Sequence, residues 1–181
     1  GAVSNIFHQE GSWAEVVSEF EYEKARSLGV PGTNILFNGP GKKPEALRRA
    51  VQEGAHIHID HLDELYTLET ITDELETHID VALRLNFDTG FTEPWSRFGF
   101  NVESGQAMDA AWRIAASKYL NLSGLHSHSG TFVTEPRAYT QQVRIMCGFM
   151  NEVENRTDCR IDYLDLGGGF ASMNSLQGIY L

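Results

Sequence analysis

Six short apolar runs, each separated from the next by a segment of helical periodicity, limit this chain to one class of fold. The runs are Trp13 to Val17, Asn34 to Phe37, Ala55 to Ile59, Val81 to Leu85, Leu122 to His126 and Ile161 to Leu164. Short, mainly apolar stretches bounded by turn residues read as buried strands. A helix over Ala2 to Phe7 precedes them, and the helices between them have readable ends. Ser18 caps one, Glu21 three residues on completes a capping box, and Gly29 stops it after about Leu28. The next starts at about Pro44, repeats Ala46, Leu47, Ala50 and Val51, and ends at Gly54. Others run through Leu62, Leu65 and Leu68, through Ala107, Ala111, Ile114 and Ala115, and from about Pro136 to Glu154. Strand–helix alternation with room for right-handed crossovers gives an α/β architecture, a parallel sheet covered by helices.

The polar residues choose between an open sheet and a barrel. After nearly every strand stands a group too polar or too small for core packing: Glu15 and Ser18, Asn38, Asp60, Arg84 and Asn86, His126 and His128, then Gly167 to Gly169. In an open doubly wound sheet only the switch-point strands serve a ligand, whereas in a closed barrel every strand end meets on one face. The expected fold is therefore α/β, a partial (β/α)8 TIM barrel with about six strands. Phe87 to Gly105, which holds Trp95, Arg97, Phe98 and Gly99, is the one long irregular segment.

Charge narrows the ligand. A formal net charge of −11 over 181 residues argues against a nucleic-acid or anionic-membrane surface, which Lys and Arg would have to hold. No apolar run reaches the length of a membrane span, and two cysteines, Cys147 and Cys159, are too few for a disulfide scaffold. A cytoplasmic protein with reduced thiols is expected. A small anion remains open to it, because Gly167, Gly168 and Gly169 strip side chains from a loop whose N–H groups can converge on a phosphate.

Gly124-Leu125-His126-Ser127-His128-Ser129-Gly130-Thr131, followed by Asp165-Leu166-Gly167-Gly168-Gly169-Phe170, resembles the paired signature of the pyridoxal-phosphate decarboxylases of the ornithine/diaminopimelate/arginine group, of the alanine-racemase-like fold type III. Ala14 to Ser18 with Glu21, Asn38 to Lys42, Asp60 to Leu65, Arg84 to Asn86 and Arg97 to Gly99 fall in the same order, so the resemblance covers essentially the whole chain. It implies pyridoxal 5'-phosphate as cofactor, with His128 stacked on the ring, Gly167 to Gly169 and Thr131 on the phosphate, and Glu15 and Arg84 near the ring. Thr131 stands where the family has serine and Glu15 where it has aspartate. His128, Arg84 and Glu15 are the expected catalytic residues. A buried arginine needs a carboxylate, Glu15 or another acid. Glu21 reads as a helix-capping acid, and Lys42 as a solvated loop charge.

No metal is expected. His56 and His58 alternate onto one strand face, but neither His61 nor His78 gives a third ligand at suitable spacing. The family's Schiff-base lysine precedes the helix that opens this chain, and none of Lys24, Lys42, Lys43 or Lys118 takes its place. With the chain closing on Gly178 to Leu181, residues 1–181 read as part of a pyridoxal-phosphate-binding barrel domain, lacking the first strands, the last-strand region and the C-terminal β-domain. The resemblance implies decarboxylation of an amino acid with a basic or amino-bearing side chain, by a homodimer in amino-acid metabolism such as polyamine or lysine biosynthesis. A catalytically inactive binding or regulatory homologue and a fold-type III racemase are the alternatives.

Overall fold

The computed structural model describes residues 1–171; Gly178 to Leu181 lie outside the described residues. In chain order come α1 (Ala2–Gln9), β1 (Ala14–Val16), α2 (Glu19–Ser27), a 3-10 turn (Gly32–Asn34), β2 (Ile35–Phe37), α3 (Pro44–Glu53), β3 (His56–Ile59), α4 (Leu62–Leu75), β4 (Ile79–Asn86), β5 (Phe100–Asn101), α5 (Gln106–Ala116), β6 (Leu120–His126), α6 (Pro136–Arg156) and β7 (Tyr163–Asp165). The strands lie in the order β1-β2-β3-β4-β6-β7, with every neighbouring pair parallel, and β5 adds to the end of β4. This is the expected α/β partial TIM barrel. Among the described residues, no helix is long and apolar enough to cross a membrane.

Alternation along the strands sorts the two faces. Ile35, Phe37, Ile57, Ile59, Leu83, Leu85 and Leu125 are fully buried and belong to the main apolar core. Between them, His58, Ala82, Arg84, Gly124, His126 and Asp165 share the other face, the barrel interior. Register places Arg84 beside His126 and His126 beside Asp165. Gly124 is required there, because a Cβ would stand 2.2 Å from the Tyr163 ring.

Several boundaries, and one added strand, differ from the sequence reading. β4 begins at Ile79, whose N–H donates to Tyr119 O. β7 begins at Tyr163 because the Ile161 N–H is taken by the Glu154 carboxylate. β5 lies inside the segment read as irregular, and two residues are too few to show a period. The Ser18 cap forms as read, its Oγ accepting from Glu21 N at 3.2 Å, but the return bond of a capping box does not: the Glu21 carboxylate accepts from Val17 N, one residue before the cap, at 2.8 Å. Ser18→Ala is expected to cost about 1 kcal/mol, measured by urea unfolding.

Lys42 corrects an expectation. It is not a solvated loop charge: its ammonium is buried, 2.6 Å from Glu64 Oε1 on α4. The Gly39 to Gly41 turn folds it inward, where it also donates to Gly39 O and His58 O.

Candidate active site

Parallel strands put all their C-terminal ends on one rim. There Glu15, Arg84, His128 and Gly168 line a single cleft of about 520 Å³, together with Asn38, His126, Trp95 and Phe98. Glu15 comes from β1, Asn38 follows β2, Arg84 lies in β4, and His126 ends β6 with His128 two residues beyond. The irregular segment after β4 carries Trp95 and Phe98 across the same opening.

Arg84 finds its carboxylate in Asp60, which follows β3, rather than in Glu15; Nη1 donates to Asp60 Oδ1 at 3.0 Å, with both side chains buried. The guanidinium lies over the Phe98 ring, 4.8 Å from its centroid. Asn86 fixes the approach of that segment by donating to Phe98 O and Gly99 O, each at 2.8 Å.

Glu15 joins a different chain of contacts. Asn38 Nδ2 donates to Glu15 Oε1 at 2.6 Å and to His126 Nε2 at 2.9 Å, an amide orientation assigned from this network. His126 Nδ1 then carries the proton and faces Asp165 Oδ2 at 3.0 Å, outside hydrogen-bond direction. Burial works to raise the Asp165 carboxyl, but His126, the Gly167 N–H and His58 outweigh it and hold it at about 2. Asp165 Oδ1 accepts from Gly167 N at 2.8 Å, so one carboxylate ties the barrel interior to the glycine loop. Beneath it His58, pushed down to about 3 chiefly by burial, contacts the Tyr163 hydroxyl at 3.0 Å.

His128 is half-buried, and its Nδ1 accepts from Gly168 N at 3.2 Å. The Trp95 ring meets it edge-on at 5.1 Å. Burial, then the positive charge of Arg84, lowers its pKa from the ordinary 6.5. Protonation is therefore disfavoured in the folded protein. Stability follows the same sign: a depressed histidine pKa means the unfolded chain binds more protons below 6.5, so acidification through that range destabilises. We expect the His128 ring to titrate below 6.5, read from the pH dependence of its NMR ring signals. A midpoint above 6.5 would contradict the environment described.

The glycine loop is more occupied than a bare nest. Gly167 N donates to Asp165 and Gly168 N to His128, while the Gly169 N–H makes no such bond among the described residues. Gly167 and Gly169 have φ of +65° and +86°, and Gly169 packs where a Cβ would stand 1.8 Å from Gly130 O. Neither Thr131, which is exposed, nor Ser129 lines the cleft; the Ser129 hydroxyl is buried without a partner. A free Gly169 amide, an unpartnered Ser129 hydroxyl and open space beside Gly168 fit the phosphate end of pyridoxal phosphate. A half-buried, neutral imidazole on the cleft fits its flat ring.

Sequence reasoning placed Asn38, Asp60 and His126 at strand ends but gave them no roles, and it missed Trp95 and Phe98 as residues of the cleft. The signal for the first three was their position. For the aromatics it was their place in the long irregular segment and, for Phe98, in the Arg97 to Gly99 motif, neither of which gives a position in space. The expectation that the β3 histidines lack a third ligand was a matter of sequence spacing: His126 and Asp165 reach His58 across the barrel, and one ligand atom from each lies within 4.8 Å of the others.

Comparison with known proteins carries the same reading. Residues 1–178 match the family model described as pyridoxal-dependent decarboxylase, pyridoxal binding domain. The diaminopimelate decarboxylase of Actinosynnema pretiosum subsp. auranticum is 31% identical over 170 residues, 90% of this chain and 38% of that one. The L-glutamyl-[BtrI acyl-carrier protein] decarboxylase of Niallia circulans is 28% identical over 177 residues, 93% of this chain and 41% of that one. The crystal structure of the Methanocaldococcus jannaschii diaminopimelate decarboxylase with L-lysine superposes with a TM-score of 0.87 at 26% identity, over 97% of this chain and 43% of that one. The chain thus spans about two-fifths of the length of the relatives it matches. With its half-barrel, its strand-end cleft and a family match over nearly all its residues, the chain belongs to the pyridoxal-dependent decarboxylases, in their pyridoxal-binding domain.

Proposed function

We propose that residues 1–181 serve as part of the pyridoxal-phosphate-binding barrel of an enzyme that decarboxylates an amino acid with a basic or amino-bearing side chain. The observation that carries this reading is the convergence of Glu15, Arg84, His128 and Gly168, from separate elements, on one cleft. Bound there, pyridoxal phosphate supplies an electron sink for the pair released at the substrate α-carbon as CO2 departs. His128 covers one face of the ring and keeps water from it. Gly167, Gly168 and Gly169 hold the phosphate through the Gly169 N–H, with the Ser129 hydroxyl beside it; Thr131, exposed and outside the cleft, takes no part. Arg84, fixed by Asp60, presents a permanent positive charge near the ring. Glu15, fixed by Asn38 through Oε1, keeps its second oxygen for a ring substituent.

Glu15 and Glu21 both line the cleft, and the chain as a whole is strongly negative. That field attracts a cationic substrate side chain. Resemblance supports a cytoplasmic homodimer, and Cys147 and Cys159 are unpaired. The test is the full-length protein supplied with pyridoxal phosphate and offered ornithine, lysine, arginine, diaminopimelate and carboxynorspermidine in turn. CO2 release from one of them, with cofactor absorbance shifted from that of the free compound, is expected. A protein that binds no pyridoxal phosphate sinks the proposal. One that binds it but inverts the α-carbon without CO2 release overturns the reaction assigned.

A further inference from the structure

In the barrel interior beside the cleft, three potential ligand atoms come close together. They are His58 Nδ1, His126 Nδ1 and Asp165 Oδ2, from three different strands. The carboxylate oxygen lies 3.6 Å from His58 Nδ1 and 3.0 Å from His126 Nδ1, and one ligand atom from each of the three residues lies within 4.8 Å of the others. The histidine side chains are 0% and 1% exposed, and none of the three atoms has a hydrogen-bond partner. Leaving one buried polar atom unpaired costs free energy, and three pointed at a common centre suggest something they are built to share.

We propose that His58, His126 and Asp165 bind a divalent transition cation of the zinc class. Two imidazoles and one carboxylate are a donor set such ions accept, with water in the fourth position. Ligands about 2.1 Å from a tetrahedral centre stand roughly 3.4 Å apart, so shifts of a few tenths of an ångström to about one ångström close the site. Each ligand also has an outer partner that fixes its orientation, as metal sites require. Tyr163 OH sits on His58 Nε2, Gly167 N on Asp165 Oδ1, and Asn38 on His126 Nε2. Metal at Nδ1 demands a proton on His126 Nε2, and turning over the Asn38 amide supplies its acceptor. The cation satisfies the three orphaned ligand atoms, and the turned amide pairs the now unpartnered Asn38 Oδ1 with His126 Nε2 while Nδ2 gives up its present acceptors. The turned amide no longer donates to Glu15, an exposed side chain free to swing, so metal and cofactor cleft communicate.

The site stands independently of the proposed reaction. Its test is a Co2+ titration of the full-length protein without pyridoxal phosphate, which chelates metals itself. One equivalent bound, with the intense visible bands of a four-coordinate centre, is expected. His58→Asn and Asp165→Asn should each weaken binding by at least about 100-fold, while His56→Asn, on the same strand but outside the cluster, leaves it unchanged. Should a variant fail to fold, the wild-type Nδ1 nitrogen NMR shifts of His58 and His126 on adding Zn2+ decide. Binding no tighter than in the variants, a loss that His56→Asn shares, or Nδ1 signals that ignore Zn2+ overturns the proposal. Failure to bind pyridoxal phosphate would leave it standing.

Discussion

Replacing Lys42 by methionine is expected to destabilise the protein by about 3–5 kcal/mol, because it strands a buried carboxylate. The Lys42 ammonium spends its three protons on Gly39 O at 2.6 Å, His58 O at 2.8 Å and Glu64 Oε1 at 2.6 Å. Burial pushes the lysine down and the glutamate up, and each partner works against that trend in the other. Such a pair contributes little net stability, yet half of it is costly. The same pair joins the Gly39 turn, beside Asn38, to the start of α4, beside Asp60; Glu64 Oε2 also accepts from Asp60 N at 3.4 Å. Lys42→Met with Glu64→Leu should therefore recover most of the loss. Chemical denaturation of the three variants, followed by circular dichroism, measures it. A single variant within 1 kcal/mol of wild type would show that the charge is not buried as described.

How this pair escaped the sequence explains what was legible and what was not. Strand–helix alternation is a local pattern, so the architecture and the row of polar strand ends could be read directly. Which polar residue meets which is set by the sheet. Arg84 takes Asp60 because β3 and β4 are neighbours, and His126 faces Asp165 because β6 and β7 are. Nothing in the spacing of those residues says so. Lys42 follows Gly39-Pro40-Gly41 and has the surroundings of a solvated turn; only the position of Glu64, a helix away, makes it a core residue. Thr131 was selected by its place in a motif, while the buried hydroxyl belongs to Ser129.

The glycine loop offers the second large effect, because its glycines are there for different reasons. Gly169→Ala is expected to cost at least about 3 kcal/mol, the sum of a left-handed backbone forced on an L side chain and of overpacking. Its Cβ would stand 1.8 Å from Gly130 O, a backbone atom that cannot turn aside. The loop would have to part from the segment after β6, breaking the Val133 N to Gly169 O bond at 2.8 Å and the Gly168 N to His128 Nδ1 bond at 3.2 Å. His128 then loses its orientation along with the proposed phosphate site, so cofactor affinity falls, and a displacement of this order lowers the rate about 100-fold. Gly168→Ala should behave otherwise. No atom lies within 4 Å of its Cβ position, its φ is not positive, and it lines the cleft. Stability should stay within about 0.5 kcal/mol of wild type, as for an unhindered surface change. Cofactor affinity should still fall, since the added methyl occupies the open side of the loop proposed to receive the phosphate. Thermal unfolding and pyridoxal phosphate titration of both variants separate the glycine that holds the scaffold from the glycine that makes room for the ligand. If Gly169→Ala keeps its affinity, or Gly168→Ala unfolds the protein, that division of labour is wrong.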